Sequence, residues 1–122
     1  MKNFYFAVGA AFSLLSVLLG AFGAHTLKDK LSKEMLDIFE VAVRYQMYHG
    51  IGLIVVAWAF SQWESNYISA AGWCFIVGIL IFSGSLYILS LTGLRWFGAI
   101  TPIGGIAFIA GWGCLIIAAF RQ

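Results

Sequence analysis

The sequence predicts an all-α polytopic membrane protein, four transmembrane helices in an antiparallel bundle with an amphipathic entry segment before helix 2. Three observations carry that prediction. Of 122 residues, 62% are hydrophobic and only 10% charged, where soluble domains run near about 25% charged. A globule this small has too much surface to hide the excess, so the surplus apolar area needs lipid. Three apolar runs have membrane length without a charge, and a fourth, shorter run follows an amphipathic stretch. The length suits a single four-span domain, residues 1–122.

The first run, Phe4 to Ala24, has 21 residues; a hydrocarbon core of about 30 Å needs about 20 helical ones. Lys2 and the small residues near Ala21 to Ala24 fit a cleavable signal, but the run exceeds the usual apolar core of about 7–15 residues. It is therefore read as a retained span. His25 follows, where a cation complements the negative end of the helix dipole.

The second run, Tyr45 to Phe60, is only 16 residues long, and its span is placed at 45–62. It reads as the apolar half of a continuous helix entering from water, with Ser32 as N-cap. At about 100° per residue, Lys33, Asp37, Glu40 and Arg44 share one stripe. Lys33–Asp37 and Glu40–Arg44 are i,i+4 pairs of opposite charge. The opposite face carries Met35, Phe39, Ala42, Gln46, His49 and Leu53, so Gln46 and His49 are expected to face protein.

The third run, Ile68 to Leu91, has 24 residues and contains Ser83 and Ser85, which can bond back to carbonyls one turn earlier. Leu94 to Ile100 forms an interfacial connection carrying Arg95 and Trp96. The last run, Pro102 to Phe120, has 19 residues. Thr101 is expected as its N-cap, with Pro102 at the first helical position. Proline could instead kink a longer helix beginning near Leu94; the cap is preferred because the shorter run already suffices. Gly104 and Gly105 then allow close backbone approach. Two small-residue rows, Ser16/Gly20/Ala24 and Ala110/Cys114/Ala118, suit helix packing and oligomer contacts equally.

Lys28, Lys30, Lys33, Arg44 and Arg95 lie on the side of loops 1 and 3, Lys2 and Arg121 on the other. That asymmetry predicts loops 1 and 3 in the cytoplasm and both termini outside. Threading the helices gathers most polar residues at the cytoplasmic pole. The candidate ligand-binding set is His49, Gln46, Tyr45, His25, Arg95, Gly104 and Gly105. Two readings of His49 stay open: a ring bonded to a backbone carbonyl or to Gln46, or a group that contacts a ligand, proton or metal. Tyr45, Tyr48, Trp58, Trp63, Trp73 and Trp96 match interfacial anchors.

Other classes have little support. A net charge of +2 without a basic–aromatic cluster points away from nucleic acid. His25 and His49 could approach one another, but no third ligand completes a metal shell. Cys74 and Cys114 lie alone in separate apolar runs and read as small buried hydrophobes. Glu40 lies roughly opposite His49 on the helix, and no nucleophile–base–orienter set is visible. No enzyme activity and no cofactor are expected.

The blocks "GAFGAH" at 20–25, "YQMYHG" at 45–50, "LIFSGSLYILSLTG" at 80–93, "ITPIGG" at 100–105 and "FIAGW" at 108–112 resemble domain-of-unknown-function family 423. That family groups small multispan membrane proteins, including animal transmembrane protein 256. The resemblance implies a multi-pass protein, here of a bacterial plasma membrane, and supplies no catalytic residues. The expected activity is binding of a lipid headgroup, quinone-like molecule or small hydrophobic ligand at the cytoplasmic pole. The alternative is a structural or assembly subunit of a larger membrane complex; an oligomeric transporter or channel is a third. Expected partners are membrane lipids and further copies or subunits.

Overall fold

Residues 2–25 contain no proline, and α1 (Lys2–His25) runs unbroken until the Thr26 amide closes on Phe22 O at 2.8 Å. The computed structural model describes residues 1–121. A short 3-10 turn, Leu27–Asp29, leads to Ser32, whose hydroxyl accepts the Met35 amide at 3.2 Å and starts α2 (Lys33–Gln62). The N-cap expected from the sequence is thus present. After a turn capped by Ser65, α3 (Asn66–Thr92) follows, then a 3-10 segment Arg95–Ala99, then α4 (Thr101–Phe120). No strand occurs among the described residues.

Neighbouring helices run in opposite senses, as the contacts show. Gly9 meets Gly50 and Leu53 while Gly23 meets Phe39, so α1 and α2 oppose. Gly52 meets Phe75 while Ser83 meets Ala42, and Gly111 meets Phe75 while Gly104 meets Phe82. The recurring device is a glycine facing an aromatic ring or a backbone: Gly72 receives the Tyr5 ring, Gly78 that of Phe108, Gly111 that of Phe75. Where lipid supplies no hydrophobic drive between helices, such close dispersion contact is what holds them together. The α1 seam is therefore Gly9, Ser16 and Gly23, all buried, whereas Ala24 is exposed. Ala110 is exposed too, and Gly104, Phe108, Gly111 and Ala118 form the inward row of α4. One end of each small-residue row, Ala24 and Ala110, thus faces away from the chain's own helices.

α3 holds a feature the sequence reading lacks, a π-helical turn at Ile79–Ser83, where the Gly84 amide reaches back five residues to Ile79 O. The wide turn sits against Gly104, whose missing Cβ leaves room for the Phe82 backbone. It also turns Ser83 toward α2: its hydroxyl donates to Ala42 O at 2.7 Å, not to a carbonyl of its own helix. Ser85 does bond back, to Phe82 O at 2.9 Å, and meets Thr101 Oγ1 at 2.6 Å. Thr101 is the first helical residue of α4 and Ile100 its N-cap, one residue earlier than expected. The Thr101 hydroxyl is engaged by Ser85 and Phe97 O, so it does not cap its own helix.

Three segments are long and apolar enough to cross a membrane: Lys2–His25, Asn66–Thr92 and Arg95–Phe120. α2 is longer, at 30 residues, but carries charges from Lys33 to Arg44. Large apolar side chains project outward from α1 (Phe6, Leu14, Val17, Leu18) and α4 (Ile103, Ile106, Ile109, Ile116). Outward apolar area of this extent suits lipid, as in a multi-pass membrane protein.

Charges meet at one pole. Lys33 pairs with Asp37 at 3.2 Å as expected, whereas Glu40 and Arg44 are not among the ion pairs of the described residues. Instead the Arg95 guanidinium grips the Glu34 carboxylate through two bonds, 2.8 and 3.2 Å, joining loop 3 to the first turn of α2. Hydrogen bonding from Arg95, then its charge, hold the Glu34 carboxyl below its ordinary pKa. A lowered folded-state pKa means the pair stabilises above the unfolded carboxylate range and fades as pH falls through the folded value. Glu34→Gln should therefore lower the melting temperature in detergent at neutral pH and converge with wild type in acid. A difference that persists in acid would contradict the ion-pair account.

Candidate functional site

Two polar side chains on one face of α2 gather partners from every other long helix. Gln46 is 3% exposed; its Nε2 donates to Phe12 O on α1 at 2.9 Å, and its Oε1 accepts the Tyr87 hydroxyl of α3 at 2.6 Å. His49, one turn further, is 5% exposed. Its Nδ1 lies 2.8 Å from Tyr45 O, and its Nε2 lies 3.0 Å from Trp112 Nε1 on α4. An indole N–H only donates, so Nε2 accepts, and the neutral ring carries its hydrogen on Nδ1, where Tyr45 O accepts it. The ring also stacks on Phe108 at 3.6 Å and 6°, with the Phe75 ring set edge-on at 5.2 Å.

The other sequence-derived candidates lie elsewhere. Tyr45 serves His49 through its backbone, while its own ring is partly exposed and leans on Phe82 at 4.7 Å. Gly104 lies against the Phe82 backbone, filled by protein, and Gly105 has only the Phe82 ring edge near it. Arg95 is held by Glu34 outside the bundle. His25 ends α1, exposed. It is sixteen residues past the Gly9–Gly50 contact, about 24 Å along the helix at 1.5 Å per residue. So His25 and His49 do not approach one another. Among the described residues no cluster of three or more His, Cys, Asp or Glu side chains could hold a metal.

The helical period of α2 gave no sign that Gln46 would pair with Tyr87 or His49 with Trp112. The available signal was chemical: a lone N–H or O–H in an apolar span must find an acceptor. Beside the Gln46–Tyr87 pair, the surface opens into a groove of about 210 Å³ between α1 and α3. Phe12, Leu15, Leu19, Ile79, Leu80 and Gly84 supply its apolar lining, and Gln46, Ser83 and Tyr87 its polar part.

A family model described as "Protein of unknown function (DUF423)" matches residues 19–105, which include the groove's Gln46, Ser83 and Tyr87. The chain belongs to this family. Its relatives include a UPF0382 membrane protein of Staphylococcus haemolyticus, 51% identical over 96% of this chain and 95% of the relative. A UPF0382 membrane protein of Bacillus subtilis is 45% identical over 96% of each. No solved structure matches. As in those DUF423 relatives, "membrane protein" is the whole of what the names convey, so any activity of this family member must be argued from its own geometry.

Proposed function

We propose that this is a four-span membrane protein that binds a membrane lipid in the α1–α3 groove, near the pole of loops 1 and 3. The fourth crossing has support from parity. The Glu34–Arg95 pair ties the start of α2 to loop 3, so α3, if it crosses, begins on the opposite face. α2, which runs from loop 1 to the start of α3, must then cross as well. Its outward stripe of Tyr48, Ile51, Val55 and Trp58 suits contact with lipid. The basic-residue asymmetry favours loops 1 and 3 in the cytoplasm.

The observation that carries the binding reading is the polar Gln46–Tyr87 pair, with Ser83, lining a surface groove whose other walls are apolar. An acyl chain would lie on Leu15, Leu19 and Leu80, and a headgroup hydroxyl or ammonium would donate to the Tyr87 oxygen, whose own hydrogen is given to Gln46 Oε1. In this reading His49 holds the frame by tying α4 to α2. Lipid extraction and native mass spectrometry of protein purified in mild detergent test it. Tyr87→Phe should reduce co-purifying lipid about fivefold, the loss expected for one hydrogen bond of about 1 kcal/mol. Equal lipid at equal stability would overturn it.

A second reading, an assembly subunit of a membrane complex, draws on a different observation. Among the described residues, every buried polar side-chain atom already has a partner within the chain. The polar cluster is thereby accounted for without a ligand. Gentle-detergent pull-down separates the two, because a stoichiometric partner protein favours the second reading.

A further inference from the structure

At the pole away from loops 1 and 3, a groove of about 220 Å³ separates the first turns of α1 from the last turns of α2. Lys2 and Asn3 form its polar end; Phe6, Ile54, Ala57 and Trp58 form its apolar walls. No acidic side chain lines it, and Lys2 is in no ion pair among the described residues. Trp58 packs edge-on against Trp63 at 5.7 Å, in the aromatic girdle that marks a headgroup level. Cation and amide at the rim with apolar walls below follow the same order as a phospholipid, phosphate above and acyl chain beneath.

From this match we infer that the α1–α2 groove at this pole is a binding site for an anionic phospholipid. Its phosphate would meet Lys2 and Asn3, and one acyl chain would lie along Phe6, Ile54 and Trp58. The site is distinct from the α1–α3 groove, which has no charged lining residue. It differs equally from the α1–α2 groove at the other pole, whose lining holds both an acidic residue, Glu40, and a basic one, Arg44.

The test is native mass spectrometry of the full chain, titrated with phosphatidylglycerol and phosphatidylcholine of identical acyl chains. Wild type should retain phosphatidylglycerol about fivefold more tightly, the ratio for about 1 kcal/mol per basic residue at an anionic surface. Lys2→Gln should bring that ratio to about one, and Ala57→Phe, which fills the groove, should reduce retention of both lipids. Tyr87→Phe should leave the ratio unchanged, so failure at this site and failure at the α1–α3 groove are distinguishable. A wild-type protein without headgroup preference, or a preference that survives Lys2→Gln, overturns the inference.

Discussion

Adding one methyl group at Gly104 or at Gly9 is expected to be among the most damaging single changes in the protein. An alanine Cβ at position 104 would stand 2.7 Å from Phe82 Cβ and closer still to the Phe82 amide nitrogen. At position 9 it would meet Gly50 O at 2.5 Å. In both cases the obstacle includes backbone of a facing helix, which cannot rotate away as a side-chain tip would. The helices must separate, and contacts along the whole seam weaken. Overpacking of this kind costs about 1–3 kcal/mol, and a backbone obstacle puts both variants at or above the upper end. Gly84 and Gly113 provide the control, because a Cβ there has nothing within 4 Å. Alanine at those sites should be neutral or stabilising by up to about 1 kcal/mol through helix propensity. Thermal unfolding in detergent reads all four; similar losses at all four positions would refute the packing account.

The second large effect is expected at His49. His49→Ala removes the ring stacked on Phe108, leaves a cavity between α2 and α4, and strands the Trp112 indole N–H. A loss of about 3 kcal/mol follows from the cavity and the unmade hydrogen bond together. Trp112→Phe should cost about 1 kcal/mol, since only the bond to Nε2 and some indole contact are lost. A double-mutant cycle on the two positions should show coupling of about 1 kcal/mol. Strict additivity would mean that the indole–imidazole bond contributes nothing.

Particular residues show how much was legible beforehand. The Lys33–Asp37 pair, the Ser32 cap and the inward turn of Phe39, Ala42, Gln46, His49 and Leu53 follow from helical period alone, and the structure has them. Angle and spacing within one helix are local quantities. Glu40–Arg44 and the Thr101 cap were equally local expectations and did not form; Ser85 and Phe97 O engage the Thr101 hydroxyl instead. Which members of the small-residue rows pack within the chain was not legible, and Ala24 and Ala110 prove exposed, because α1 and α4 are apolar nearly all round. Hydrophobicity then carries no directional signal.

The amino-acid sequence by itself determined that this is a helical membrane protein, where its apolar segments lie, and which face of α2 turns inward. Those properties depend on composition and on the 3.6-residue period, which each segment carries within itself. Only the tertiary structure decided that Gln46 meets Phe12 O and Tyr87, that His49 is locked by Trp112, and that Arg95 binds Glu34. The partners stand 34 to 63 residues apart in sequence. Their meeting depends on how closely the helices approach, and that distance is set by glycines opposite aromatic rings and by one widened turn in α3.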